Sequence, residues 1–293
     1  MAKSIHKILP LLIISLVLQS MSVHAECNID EAQCVSTNEW QLGIALGIGV
    51  KQNPLHDGDA IPLLILPDIA WYGEAAYFDN GELGYQFFNS DNMAIESFVS
   101  INDERAYFSF WHPANILFSQ SQLSNSLAPD MGPEYIDGER TNISIKNISK
   151  RKWAMDAGIR WHYWQGQHQW QASMKQDISA VHDGSQLSVS YQHHWQGEQW
   201  FISIKPQLQW KSRQLLNYYY GLSGIDKVDK TFWYQVSSAW IPSITLTAMH
   251  PINDSWSWLI NSSFTHLPSS MASSPIVDKN NIASAFIGVA YRF

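Results

Sequence analysis

The chain has 293 residues, 45% of them apolar, with 14 tryptophans and a formal charge of −8. An acidic chain with no basic stripe argues against nucleic acid as a partner, and no segment after the first 25 residues approaches the roughly 18 continuous apolar residues of a membrane-spanning helix. So much apolar surface must be hidden by some other pattern.

At the amino end Lys3 and Lys7 precede an apolar run, Ile8 to Leu18, interrupted only by Pro10 and Ser15, and Val23-His24-Ala25 forms a small-x-small site. This reads as a signal peptide over 1–25, with the mature chain beginning at Glu26. A retained anchor is the weaker reading, because the run is too short to cross about 30 Å of hydrocarbon. Glu26, not a small residue, precedes Cys27, which argues against lipid attachment. Residues 26–39 are expected to form a short periplasmic segment. Cys27 and Cys34 are placed to close a small disulfide loop in an oxidising compartment. With no histidine beside them they make a poor metal site.

From residue 40 the chain alternates. Leu42, Ile44, Leu46, Ile48 and Val50 oppose Gly43, Ala45, Gly47 and Gly49. Glycines on the inner face predict a wall against which something packs closely. Residues 61 to 111 read as four or five strands, near 61–72, 74–79, 82–89, 93–101 and 105–111. A long loop is expected over 112–138. Alternation is clearest next: Trp153, Met155, Ala157, Ile159, Trp161 and Tyr163 stand against Asp156, Gly158, Arg160 and His162. A hairpin at Gly166 leads to Trp170, Ala172, Met174 and Ile178 against Gln169, Gln171, Ser173, Lys175 and Asp177. Two further strands flank the Gln196-Gly197-Glu198 turn, with Ser203, Lys205, Gln207 and Gln209 on the polar face of the second. Residues 211–230 and 267–280 read as loops, Phe232 to Met249 as one long strand, and Trp256 to His266 as another after the turn Pro251-Ile252-Asn253-Asp254.

The last eleven residues alternate to the end. Ala283, Ala285, Ile287, Val289, Tyr291 and Phe293 share a face, and Phe286 is the one large apolar side chain on the other. A terminal strand closing on Phe293, with Tyr291 two residues before it, looks like the signal by which bacterial outer-membrane barrels are recognised for assembly. Tryptophans recur at strand ends, as in the aromatic girdles of such barrels. A soluble β-sandwich would also alternate, but would not ordinarily need aromatics at both ends of its strands. The predicted fold is therefore all-β: a closed antiparallel transmembrane β-barrel over 40–293 with about 12 strands, 10 to 14 being allowed, short periplasmic turns and longer external loops.

Eleven histidines raise the question of a hydrolase at the barrel rim. The candidates are His56 beside Asp57, His182 beside Asp183, and His193-His194. Neighbours on a strand point to opposite faces, so adjacency argues poorly for a site, and the chain lacks the zinc-protease, nucleophile-elbow and phosphate-loop motifs. No catalytic residue, metal or cofactor is indicated. Asp156, Arg160, Lys175, Asp177 and Lys205 fall on predicted inner faces. They read either as a charged lumen that selects solutes or as paired charges that plug a narrow barrel. Tyr218, Tyr219 and Tyr220 read either as an aromatic partner-binding loop or as part of a girdle.

Several phrases, taken in order, resemble the MipA/OmpV family of outer-membrane proteins. They are Trp40-Gln41-Leu42-Gly43, Asn53-Pro54-Leu55, Ile65-Leu66-Pro67-Asp68-Ile69, Trp71-Tyr72-Gly73, Phe78-Asp79-Asn80-Gly81, Tyr218-Tyr219-Tyr220-Gly221, Ser274-Pro275-Ile276-Val277 and Gly288-Val289-Ala290-Tyr291-Arg292-Phe293. The resemblance runs from Trp40 to Phe293. It implies a non-enzymatic barrel in the Gram-negative outer membrane, in contact with its lipid, that serves as a scaffold for a murein lytic transglycosylase and a murein synthase. Porin-like, adhesive and antibiotic-response or osmotic-response roles spoken of for other relatives keep a small-solute channel as the alternative.

Overall fold

The computed structural model describes residues 37–117, 142–197 and 199–293. The expected signal peptide, the Cys27 and Cys34 pair and most of the 112–138 loop lie outside these. Among the described residues twelve strands form one antiparallel sheet that closes on itself. They are β1 (Trp40–Lys51), β2 (Ile61–Pro62 and Ile65–Tyr72, broken between the two), β3 (Ala76–Asp79), β4 (Glu82–Ser90), β5 (Met93–Ile101), β6 (Met155–Gln165), β7 (His168–Asp177), β8 (Ser185–Gln196), β9 (Phe201–Lys211), β10 (Ala239–Pro251), β11 (Trp256–His266) and β12 (Asn281–Arg292). Each pairs with its sequence neighbours. The seam joins β1 to β12 from Gly43 opposite Arg292 to Lys51 opposite Ser284. Closure removes the free edges that hydrocarbon would not tolerate.

The alternation read from the sequence is the alternation of the wall. Ile48, Ile65, Leu83, Ile159 and Met174 are exposed on the outer face, and Glu96, Asp156, Lys175 and Lys205 are buried inside. The short turns mark the periplasmic end, and aromatics ring the outer surface there. Tyr163 and Trp170 stand 5.6 Å apart, Trp170 and Tyr191 5.5 Å, and Trp256 and Tyr291 4.9 Å, centroid to centroid.

Phe286 keeps the alternation in geometry while breaking it in polarity. Its ring turns inward, 3% exposed, and clusters with Ala45, Leu66 and Leu259. The inner-face glycines make this possible: a Cβ on Gly47 would stand 2.8 Å from Phe286 Cζ and 2.6 Å from Gly288 Cα. The close-packing wall expected from Gly43 to Gly49 is the seat of this ring and of the seam itself.

Two expected strands are corrected. Residues 105–111 are not a strand. Asn102 accepts the amide of Glu104 through its side chain and starts a 3-10 turn, Asp103–Phe108, and Asn115 donates to the carbonyls of Ala106 and Ser109. The long strand from Phe232 begins only at Ala239, because Asp229 caps a 3-10 turn over Lys230–Phe232 and Tyr234 pairs with Leu222 in an isolated bridge.

Phe286→Ala should cost about 3 to 5 kcal/mol through the cavity it leaves, and Gly47→Val should destabilise by forcing the seam apart. Both are checked by the midpoint of urea unfolding in micelles, followed by tryptophan fluorescence. A Gly47→Val barrel with an unchanged midpoint would refute the role given to that glycine.

Candidate functional site

The non-periplasmic mouth is closed by a folded cap. Its core gathers Leu55 from the β1–β2 loop, Ile148 from the β5–β6 loop, Leu215, Leu216, Tyr219, Tyr220 and Val236 from the β9–β10 loop, and Met271, Ile276 and Val277 from the β11–β12 loop. Helix α2 (Arg213–Tyr220) carries four of these residues. Ser212 caps it by accepting from the Leu215 amide, and it ends at Gly221. The structure therefore corrects both readings of Tyr218, Tyr219 and Tyr220. They are neither a loop nor a girdle, since Tyr219 and Tyr220 are fully buried, and only Tyr218 stays partly open, its hydroxyl accepting the Lys152 amide at 2.8 Å. Inside the cap Arg151 meets Asp226 at 2.6 Å, both buried, and donates to the carbonyl of Gly221. Beneath it Glu104, 3% exposed, accepts from both Lys211 and Tyr220. Burial and the Glu104 carboxylate hold the Tyr220 phenol well above its ordinary pKa.

Below the cap lies a chamber of about 370 Å³, lined by Tyr220 and Met271 above and by Leu66 and Phe286 on the β1–β12 side. Three of its cations, Arg160, Lys175 and Lys211, are held in ion pairs. Arg160 binds Glu82 at 2.6 Å and Glu96 at 2.7 Å, and the Tyr77 hydroxyl, with one proton to donate, lies 3.0 Å from Glu82 and 2.9 Å from Glu96. Lys175 faces Asp156 at 3.3 Å and Asp103 at 3.7 Å. Of the inner-face charges expected from the sequence, Asp156, Arg160, Lys175 and Asp177 are all engaged by protein partners, and Lys205 lines the chamber. For Arg160 and Lys175 the described residues give the paired arrangement. The sequence reading missed Glu82, Glu96, Glu104 and Lys211. A lone acid at an inward position of an apolar strand, as in Ala94-Ile95-Glu96-Ser97-Phe98, was the available signal.

The histidine candidates separate. His56 faces Asp278 at 3.7 Å, not Asp57. His193 lies on the outer face between the rings of His168 and Trp195, while His194 is turned inward and buried. His182 meets Asp156 at 3.5 Å, not Asp183, and its Nδ1 accepts the Gly184 amide. Asp156, Asp177 and His182 have one donor atom each within 4.8 Å of one another, the geometry of a metal cage. Most of their capacity is already used, although Asp156 Oδ1 is buried without a hydrogen bond, 3.5 Å from His182 Nε2. Asp177 accepts the amides of Ser179, Val181, His182 and Asp183, and Asp156 accepts from Asn102 at 2.7 Å. The cluster holds the β7–β8 loop and the start of the 3-10 turn, and the Ser179 hydroxyl donates to Asp177 at 2.6 Å.

After the 3-10 turn the chain continues into one turn of helix, α1 (Pro113–Ile116), and together they form a strap across the lumen. His112 caps α1 with Nδ1, accepting the Ala114 amide, and its Nε2 donates to the Asn102 carbonyl. The Nδ1 bond needs the neutral ring, and burial holds the His112 pKa down at about 4.

A family model described as "MltA-interacting protein MipA" matches residues 42–293. The chain is 25% identical to "Putative outer membrane protein YiaT" of Escherichia coli O157:H7, over 75% of this chain and 88% of that protein. It is 21% identical to "MltA-interacting protein" of Escherichia coli strain K12, over 88% of this chain and 93% of that one. Among solved structures, a "Bacterial polysaccharide outer membrane secretin" is similar with a TM-score of 0.41 and 11% identity, over 88% of this chain and 100% of that one. With the closed barrel, the relatives place the chain in the outer membrane of a Gram-negative bacterium.

Arg160→Met should cost about 3 to 5 kcal/mol, because Glu82 and Glu96 are left buried without their cation. Adding Glu82→Gln and Glu96→Gln should restore most of the loss, as read by urea unfolding of the single and triple variants. For His112 the folded pKa lies below the unfolded value of about 6.5. Its contribution is thus fully present above about pH 6.5 and is lost as the pH falls through about 4. Protection of the Ala114 amide against hydrogen exchange, corrected for the intrinsic rate, should drop over that window. Constant protection would contradict the assignment.

Proposed function

We propose, from the premise that this chain belongs to the MipA family, that it is a non-enzymatic outer-membrane scaffold whose periplasmic face binds enzymes of murein turnover. The observation that carries this reading beyond family membership is the capped, ion-paired lumen. An apolar core of four loops closes the mouth and carboxylates neutralise Arg160, Lys175 and Lys211, so the barrel is built as a wall and a platform more than as a passage. A relative carries the name "MltA-interacting protein", which supports a murein lytic transglycosylase as the partner, with a murein synthase as the second. The binding surface in this reading is the ring of short turns at Glu74, Asp91, Gly166 and Asp254. Export by a leader cleaved after Ala25, a Cys27–Cys34 disulfide, and recognition of Tyr291 and Phe293 during assembly complete the proposal.

The chamber is the observation that favours the second reading, a channel for small solutes, because a polar cavity already exists beneath the cap. Affinity capture of the folded, detergent-extracted protein from envelope lysate, with mass spectrometry of what remains at moderate salt, separates the two. Recovery of a lytic transglycosylase or murein synthase is the expected outcome. A partner-free barrel that conducts ions in planar bilayers would instead establish the channel.

Changing Tyr291 and Phe293 together to Ser should leave unassembled protein in the periplasm. Normal amounts of heat-modifiable barrel in the outer membrane would show that the terminal strand is not the assembly signal.

A further inference from the structure

The barrel wall has a gap. Strand β3 has four residues, whereas a tilted transmembrane strand needs about 9 to 11. The β3–β4 hairpin turns at Asn80 and Gly81, both with positive φ, and pairs with β2 only from Ala70 to Tyr72. At its top Asn80 closes the ladder: its Oδ1 accepts the Ile69 amide at 3.0 Å, and its own amide donates to the Ile69 carbonyl. Among the described residues no strand stands beside the edge of β2 above Ile69. The next residue whose backbone faces that edge is Pro67, which has no N–H to leave unbonded. Lipid-exposed backbone is not tolerated at this depth, and the gap is filled from inside by the strap. Helix α1 packs on β2, and Pro113 and Leu117 lie beside Gly81, 3.6 and 3.9 Å from where its Cβ would stand.

This corner joins the chamber to the membrane. Asn80, Gly81, Leu63, Pro113 and Leu117 all line the chamber, while Leu64, Ile65, Leu83, Phe110 and Trp111 are exposed apolar side chains, Trp111 at 75%. The strap is seated by polar contacts. Lys51 Nζ reaches Asn115 Oδ1 at 3.3 Å and stands 5.3 Å from the Tyr107 ring, neither of them anionic. The nearby carboxylates are occupied, Glu104 by Lys211 and Tyr220, and Asp103 by Lys175. Lys51 is thus a chamber cation held by an amide and a ring, not by a carboxylate.

We propose that this gap is a lateral port at which an anionic phospholipid docks from the membrane, its acyl chains along the apolar lip and its headgroup phosphate on Lys51 inside the chamber. The lip supplies the surface an acyl chain fits, and the interior supplies a charge that a phosphate neutralises without displacing an existing ion pair.

The test places the photo-crosslinking residue p-benzoylphenylalanine at Leu117, inside the port, or at Trp111, on the open surface, in barrel reconstituted in vesicles of phosphatidylcholine with and without phosphatidylglycerol. The Leu117 position should capture phosphatidylglycerol in preference to phosphatidylcholine. Lys51→Gln should reduce that capture several-fold, with Lys51→Arg restoring it, while Trp111 captures either lipid regardless of position 51. Heat modifiability on gels verifies that each variant is folded. Capture at Leu117 of protein alone, of no lipid, or of both lipids without dependence on Lys51 would overturn the proposal.

Discussion

Everything in this molecule follows from the rule that backbone polar groups in hydrocarbon must find partners within the protein. The β1–β12 seam meets that rule for the chain as a whole, and its cost is set by how closely two backbones approach. Gly47 and Gly288 face one another across the seam, and side chains at either would collide with the opposite strand. The small residues that let the barrel close also leave room inside it, and the Phe286 ring occupies that room. Closure and lumen packing are therefore one arrangement, set by the same three or four positions.

The same rule governs charge. A guanidinium inside a narrow barrel is stable only where carboxylates compensate it, and Arg160 sits between Glu82 and Glu96 on neighbouring strands. The carboxylates of Asp177 and Asp156 are consumed by loop amides, Asn102, His182 and Lys175. Side chains that resemble catalytic or metal-binding groups in isolation act here as ties between strands and loops.

How far the sequence could be read depended on whether the physics was local. Period-two alternation is local, so β6 to β9 and β12 were legible almost residue by residue, as were the girdle and the glycine wall. Register is not local. Nothing in Glu82 or Glu96 alone says that both reach Arg160, because that depends on how β4, β5 and β6 line up. The short β3 was blurred for the same reason, since Tyr77 and Phe78 alternate as well as any longer strand and only the Asn80-Gly81 turn cuts them off. Residues 105–111 look strand-like because four of the seven are aromatic, but Asn102 and Asn115 bind the backbone that a ladder would have used. The tyrosine triplet was misread because its burial is created by loops that come from distant parts of the chain.

That last feature bears on how the molecule forms. The cap core joins Leu55, near the start of the barrel, to Val277, near its end, through a direct backbone bridge. Contacts between residues so far apart in sequence are slow to form, because the chain between them must be ordered first. The two segments meet only once the first and last strands stand side by side. The cap is thus a late-folding unit whose native surface marks completed closure, and any ligand or antibody specific for it would distinguish finished barrels from open intermediates.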